Sequence, residues 1–316
     1  MSSILASNPI LVNIGTHSLA LYAHGPEPSN TKEPVVLFIS GVACSSLNWA
    51  AVVRLLPPSL RSYTYDRSGF RNSELSPLEP TAENVALELS LLVKNAPIEN
   101  PLILVGHSWA GVLISEFIAL TGNGPHIAGL VLVDANHETA PLVLDVNDPN
   151  LLAISEGLDY YSGIGVAAEH KLTQEEWDAL QSDQSTEKYK LTAYKEDEEQ
   201  YIPSFETLRK KGLSKKQPIV GDKPVFVIGS LRSRDWTGLY NAGVERGNGT
   251  EEQRSLVREL IRTADEKSES LMKEWLKIST RSTLVFARES GHFIQFTQPD
   301  VVVDGVKWVL DQSKTS

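Results

Sequence analysis

Two short stretches hold the residues best suited to covalent chemistry. Residues 103 to 111 read Ile-Leu-Val-Gly-His-Ser-Trp-Ala-Gly, and residues 290 to 293 read Ser-Gly-His-Phe. A serine hydroxyl attacks a carbonyl only when a neighbouring base takes its proton. That base is usually a histidine held in one tautomer by a carboxylate. Ser108 sits where an apolar run (Leu102 to Val105) meets Gly106 and the pattern turns helical, with Val112, Leu113, Phe117 and Ile118 recurring every three to four residues. A buried strand turning sharply into a helix exposes a serine at the corner, and the helix N-terminus favours an oxyanion nearby. Of the seven histidines, His292 follows the last apolar run in a glycine-containing loop and is the expected general base. His107 leaves the turn in a different direction, and His137 is a candidate pocket residue.

The acid is open among three carboxylates. Asp134 directly follows the strand after the nucleophile helix, Asp235 follows the next strand in Arg232-Ser233-Arg234-Asp235-Trp236, and Glu138 lies close behind Asp134. Asp134 is preferred, and either aspartate preserves the order Ser, Asp, His. An acyl-transfer site also needs two N–H donors for the oxyanion. The backbone of Trp109, next to the serine, is one. Val42, in the small-residue loop Ser40-Gly41-Val42-Ala43-Cys44, is the natural second, and only its backbone matters.

The elements that must position these residues follow from periodicity. Residues 9 to 24 alternate weakly and read as a hairpin. Apolar runs at 35–39, 61–65, 102–105, 127–133, 224–228 and 282–287 read as strands, most of them separated by helical patterns. Strands alternating with helices predict an α/β fold with a mostly parallel sheet covered on both faces, where ligands collect at the carboxyl ends of strands. Ser108, Asp134 and His292 each lie just past such an end. From 139 to 222 the composition becomes polar and helical. Thr173-Gln174-Glu175-Glu176 reads as a capping box, a second helix runs from Thr186 to Gln200 and is ended by Pro203, and a third covers 204–211. This predicts a core of residues 1–138 and 223–316 with a helical cap inserted at 139–222.

Taken together, the chain resembles the α/β-hydrolase fold superfamily over nearly its whole length. Gly-His-Ser-Trp-Ala-Gly is similar to its nucleophile elbow, with Ala110 in place of the last glycine. Asp66-Arg67-Ser68-Gly69-Phe70 resembles its Asp-Arg-x-Gly-x turn, and Ser-Gly-His-Phe its base loop. Ser40 stands where many members have histidine. The family's usual acid position falls on Arg232, which cannot serve; some cap-bearing members place their acid where Asp134 lies. The resemblance implies a cap-bearing serine hydrolase of the esterase or lactonase type. An aspartate nucleophile, as in dehalogenases and epoxide hydrolases, is disfavoured by Ser108.

Composition narrows the partners. With 29 basic and 40 acidic residues the net charge is −11, which opposes binding to nucleic acid or an anionic membrane. Lone Cys44 excludes an intrachain disulfide and a thiolate metal cluster. No run reaches the ~18 apolar residues a membrane span requires, and no signal-peptide pattern is visible, so the cytoplasm is the expected location. No metal or cofactor motif is present: the glycine-rich turns lack both G-x-G-x-x-G and the P-loop lysine. The expected partner is a small, medium-sized hydrophobic ester or lactone. Its pocket is expected from Leu151, Leu152, Leu158, Tyr160, Tyr161 and Trp177 of the cap, with Trp109, His137 and Trp236 of the core. Two other activities share this machinery: an acyl transfer that closes a lactone ring, and ligand binding without catalysis.

Overall fold

The computed structural model describes residues 4–124 and 126–314. Eight strands form one sheet: β1 (Ile10–Asn13), β2 (Ser18–His24), β3 (Val35–Ile39), β4 (Ser62–Tyr65), β5 (Leu102–His107), β6 (Ile127–Val133), β7 (Val225–Gly229) and β8 (Ser282–Phe286). Their order is β1-β2-β4-β3-β5-β6-β7-β8. The β1–β2 and β2–β4 pairs are antiparallel, and every later pair is parallel. The fold is therefore α/β, with the antiparallel hairpin at one edge.

The period of two along each strand sorts side chains onto opposite faces. Leu37, Leu104, Leu132 and Val227 join one apolar cluster with α2 (Ala82–Asn95), α3 (Ala110–Thr121) and α12 (Glu251–Trp275). Their neighbours Phe38, Val105, Val131 and Ile228 join another with α1 (Ala50–Leu55) and α13 (Pro299–Ser313). Both faces are thus dry, as a parallel sheet demands.

Between β6 and β7 the chain is entirely helical or irregular. It holds α4 (Ala140–Val143), α5 (Pro149–Ser155), α6 (Tyr160–Gly163), α7 (Val166–Glu169), α8 (Gln174–Ser185), α9 (Glu187–Tyr194) and α10 (Ile202–Lys211). The capping box at Thr173 is present, with the Thr173 and Glu176 side chains each accepting from the other's backbone N–H. Pro203 departs from expectation. A π-helical run, Lys195–Tyr201, carries α9 straight into α10. Pro203 falls in the first turn of α10, where a missing N–H costs nothing.

The helix α11 (Arg232–Glu245) carries few apolar positions and two glycines, Gly238 and Gly243. Packing explains the second glycine. A Cβ on Gly243 would lie 2.1 Å from the Ile154 carbonyl, so α11 and α5 can approach this closely only there. Among the described residues no helix is long and apolar enough to cross a membrane.

Candidate active site

β5 delivers Ser108 to a left-handed corner at φ 56°, a conformation most residues avoid. The Ser108 amide donates to the Val133 carbonyl at 3.2 Å, and its own carbonyl accepts from Gly111 and Asn136. Gly111 permits the second contact, since a Cβ there would sit 2.5 Å from the Asn136 carbonyl. The strained corner is thus held from both sides and presents its hydroxyl upward.

The His292 ring lies over that hydroxyl. Its Nε2 is 2.9 Å from Ser108 Oγ, and its Nδ1 is 2.6 Å from Asp134 Oδ2. With Nδ1–H donating to the carboxylate, Nε2 is free to accept the serine proton. The loop beneath is fixed by neighbours. His107 Nε2 meets the His292 carbonyl at 3.0 Å, and Gln295 Nε2 meets His107 Nδ1 at 3.2 Å. Burial holds His107 well below the usual imidazole range, so it is a neutral strut. It escapes sequence reading because nothing local announces a contact made across the sheet edge.

Asp134 is also left-handed, at φ 40°. Burial by itself would raise its pKa, but the Arg232 guanidinium and the His292 hydrogen bond outweigh it and hold the carboxyl well below the ordinary range. Arg232 Nη2 lies 3.0 Å from Asp134 Oδ2 and 3.0 Å from His292 Nδ1. Because Nδ1 carries the proton given to Asp134, the guanidinium bonds the carboxylate and only abuts the ring. Asp235 accepts the His292 backbone N–H at 2.8 Å and does not meet the ring. Glu138 is buried, and its contribution is a carbonyl accepting from Arg209. Of the three candidate acids, the structure brings Asp134 alone to Nδ1.

Among the described residues, no acceptor meets the backbone N–H of Trp109 or of Val42. Trp109 follows Ser108 directly, and Val42 lines the same cavity as Ser108. Two such N–H groups are able to receive the negative charge that develops on a carbonyl oxygen under attack.

A cavity of about 440 Å³ opens above Ser108. Val42, Ala43, Cys44, Asn136, Arg232 and Phe293 line its core side, and Tyr160, Tyr161, Gln184, Tyr189, Asp197 and Tyr201 come from residues 139–222. Expected pocket residues divide here. Tyr160 and Tyr161 face the cavity, whereas Trp109, Trp177, Trp236 and His137 do not. The Trp109 indole is wholly buried and donates to Ser204 Oγ at 3.0 Å, anchoring α10. Trp177 stacks on His170 with ring centroids 4.2 Å apart. Trp236 packs into the main core from α11. His137 lies edge-on to Trp275, beside a separate cleft of about 30 Å³, and burial pushes its pKa down to about 4. Of the leucines, Leu151 is buried in the core and Leu152 is exposed; neither Leu152 nor Leu158 lines the cavity.

Asn136 was not singled out from sequence. Its Oδ1 lies 3.4 Å from Ser108 Oγ and accepts from Tyr201 at 3.0 Å. Its place two residues beyond Asp134 was the available signal. The cavity lining is mainly apolar, with Asn136, Gln184 and the tyrosine hydroxyls among its polar groups.

Comparison with known proteins agrees with this architecture. The model of the alpha/beta hydrolase family matches residues 36–305. A probable transporter, efuK, from Hormonema carpetanum is 31% identical over 96% of this chain, and the chain spans 42% of that relative's length. An AB hydrolase superfamily protein from Gibberella zeae is 28% identical, over 92% of this chain and 91% of its own. A solved thermophilic esterase from Thermogutta terrifontis superposes with a TM-score of 0.61 at 16% identity, covering 97% of this chain and 99% of its own. At that identity the likeness concerns the fold.

Proposed function

This chain belongs to the alpha/beta hydrolase family, and on that premise we propose that it is a serine hydrolase cleaving a carboxylic ester or lactone through an acyl-enzyme. The observation that carries the reading is the unbroken relay from Ser108 Oγ through the His292 ring to Asp134, at 2.9 and 2.6 Å. In this reading Ser108 attacks the substrate carbonyl as Nε2 takes its proton, and Asp134 stabilises the imidazolium that forms. The N–H groups of Trp109 and Val42 hold the oxyanion. Collapse expels the alkoxide, which takes the proton from Nε2. Water, activated by the same nitrogen, then releases the acid and restores Ser108.

Residues 139–222 act as the cap, since seven of the sixteen residues lining the cavity come from them. The wall favours a medium-sized substrate with an apolar, ring-bearing body. Three of its four tyrosine hydroxyls have protein partners: Tyr161 accepts from Gln184, while Tyr189 donates to the Ala43 carbonyl and Tyr201 to Asn136. Their rings are left as the contact surface, and aromatic faces of this kind suit planar or cyclic groups.

A fluorophosphonate probe tests the reading. It should label the folded chain at Ser108, located by peptide mass spectrometry, and Ser108→Ala should abolish labelling. Failure of the natively folded protein to react would overturn it.

A further inference from the structure

The loop after β3 is tied down from a distance. Arg67, on the turn after β4, donates from Nη1 to the Ser40 carbonyl and from Nη2 to the Gly41 carbonyl, each at 2.7 Å. The same guanidinium pairs with Glu196, Nε to Oε1 at 2.9 Å and Nη2 to Oε2 at 2.7 Å. Glu196 Oε2 also accepts the Ala43 N–H at 2.8 Å, and the Tyr189 hydroxyl donates to the Ala43 carbonyl. Three carbonyls and one N–H of the loop are therefore engaged, while the Val42 N–H, beside Ser108, is left without an acceptor among the described residues. Ala43 itself is left-handed, at φ 50°, a shape an alanine keeps only when its surroundings impose it.

Glu196 comes from the cap, on the π-helical run Lys195–Tyr201. It is 1% exposed, between exposed or half-exposed neighbours, and Arg67 is 4% exposed. Burial opposes the Arg67 charge, and the Glu196 carboxylate more than offsets it, raising the pKa. A buried ion pair is a poor device for stability, because desolvating both charges cancels much of their attraction. Its strength is directional: a bidentate fork fixes both partners in one geometry. The widened π turn also turns Asp197 and Tyr201 toward the cavity, so one segment of the cap both walls the cavity and grips the loop opposite Ser108. Such π segments recur at functional sites.

We propose that Glu196 is a positioning residue for the oxyanion donor: clamped to Arg67, it fixes the peptide at Ala43 so that the Val42 N–H faces the tetrahedral oxygen formed on Ser108. The cap then takes part in catalysis as well as in substrate binding. This rests on Ser108 being the nucleophile.

The test uses the full chain and its Glu196→Gln and Tyr189→Phe variants, with p-nitrophenyl butyrate as the ester and phenylboronic acid as the tetrahedral mimic. Glu196→Gln keeps the side-chain size but loses the charge. Loss of one oxyanion donor costs about 100-fold in kcat. Glu196→Gln is expected to lower kcat and boronate affinity by comparable factors approaching that figure, with KM within about twofold. Tyr189→Phe removes one hydroxyl and no buried charge. It should move both quantities in the same direction by about fivefold, on the same scale, and decides the matter if Glu196→Gln does not fold. Unchanged kcat and boronate affinity in a folded variant would overturn the clamp, as would a raised KM at constant kcat, the mark of a residue that only binds substrate. Fluorophosphonate labelling separates the two levels. An unlabelled wild-type chain removes the nucleophile reading, whereas a labelled chain with an indifferent Glu196→Gln removes the clamp alone.

Discussion

The carboxyl ends of β6 and β7 each send one buried aspartate to the same histidine, and the two do different things. Asp134 and Asp235 are equally buried, at 2% exposure. Asp134 reaches the His292 ring and Asp235 its backbone N–H. Arg232 stands between them, 3.0 Å from Asp134 and 3.8 Å from Asp235. Their pKa values diverge accordingly. For Asp134, the guanidinium and the ring hydrogen bond overcome burial and the carboxyl is held low. For Asp235, burial wins over the same guanidinium and the backbone N–H, and the pKa is raised. Burial and proximity in the chain do not distinguish the two; what each faces on His292 and its distance from Arg232 do.

The comparison is broken most severely by exchanging the carboxylate that meets the ring. Asp134→Asn should reduce kcat on a p-nitrophenyl ester by about 10⁴-fold, the scale seen when a triad loses its acid, while Asp235→Asn should cost less than about tenfold. Equal losses would mean that the two carboxylates serve His292 alike. Stability should separate them as well. A carboxyl whose folded pKa is depressed stabilises the native state above its unfolded value near 4, and that stabilisation is lost as pH falls through the folded pKa. Asp134→Asn should therefore lower stability at pH 7 by roughly 2 kcal/mol and flatten the acid limb of a urea-denaturation series.

A smaller effect tests geography. Adding Arg232→Asp to Asp134→Asn puts a carboxylate at the β7 position and removes the cation. Recovery of about tenfold in kcat over the single variant would show that either strand end can feed the ring; no recovery would mean only the β6 end reaches Nδ1. The smallest effect is expected for the stability of Asp235→Asn. Its raised folded pKa means the ionised carboxylate is disfavoured at neutral pH, and the contribution grows more favourable as pH falls. The variant should match or exceed wild-type stability at pH 7, as thermal unfolding would report.

Much of the core was legible because its signals are local. Apolar runs of strand length ending in small residues mark β3, β5 and β6, and the change from period two to period 3.6 marks the corner at Ser108. The helical nature of residues 139–222 was equally plain, from capping residues and charge. The details of that region were not. Pro203 is a stop signal in isolation, yet the preceding π turns place it in a first turn where it is tolerated. α11 carries few apolar residues for its length, and it packs on the short helices α5 and α6 as well as on α12.

Residue type and chain order thus determined the sheet, the corner serine, and a histidine and an aspartate at strand ends, because each depends on neighbours within a few positions. Which tryptophans would wall the cavity was beyond such reasoning: an indole is equally suited to a core, and Trp109, Trp177 and Trp236 are each spent on packing. The selection of Asp134 for the ring, the insertion of Arg232 beside it, and the reach of Glu196 to Ala43 belong to tertiary structure alone. Those contacts join residues far apart in the chain, and only the packing of strand ends, loops and residues 139–222 brings their charges within hydrogen-bonding distance.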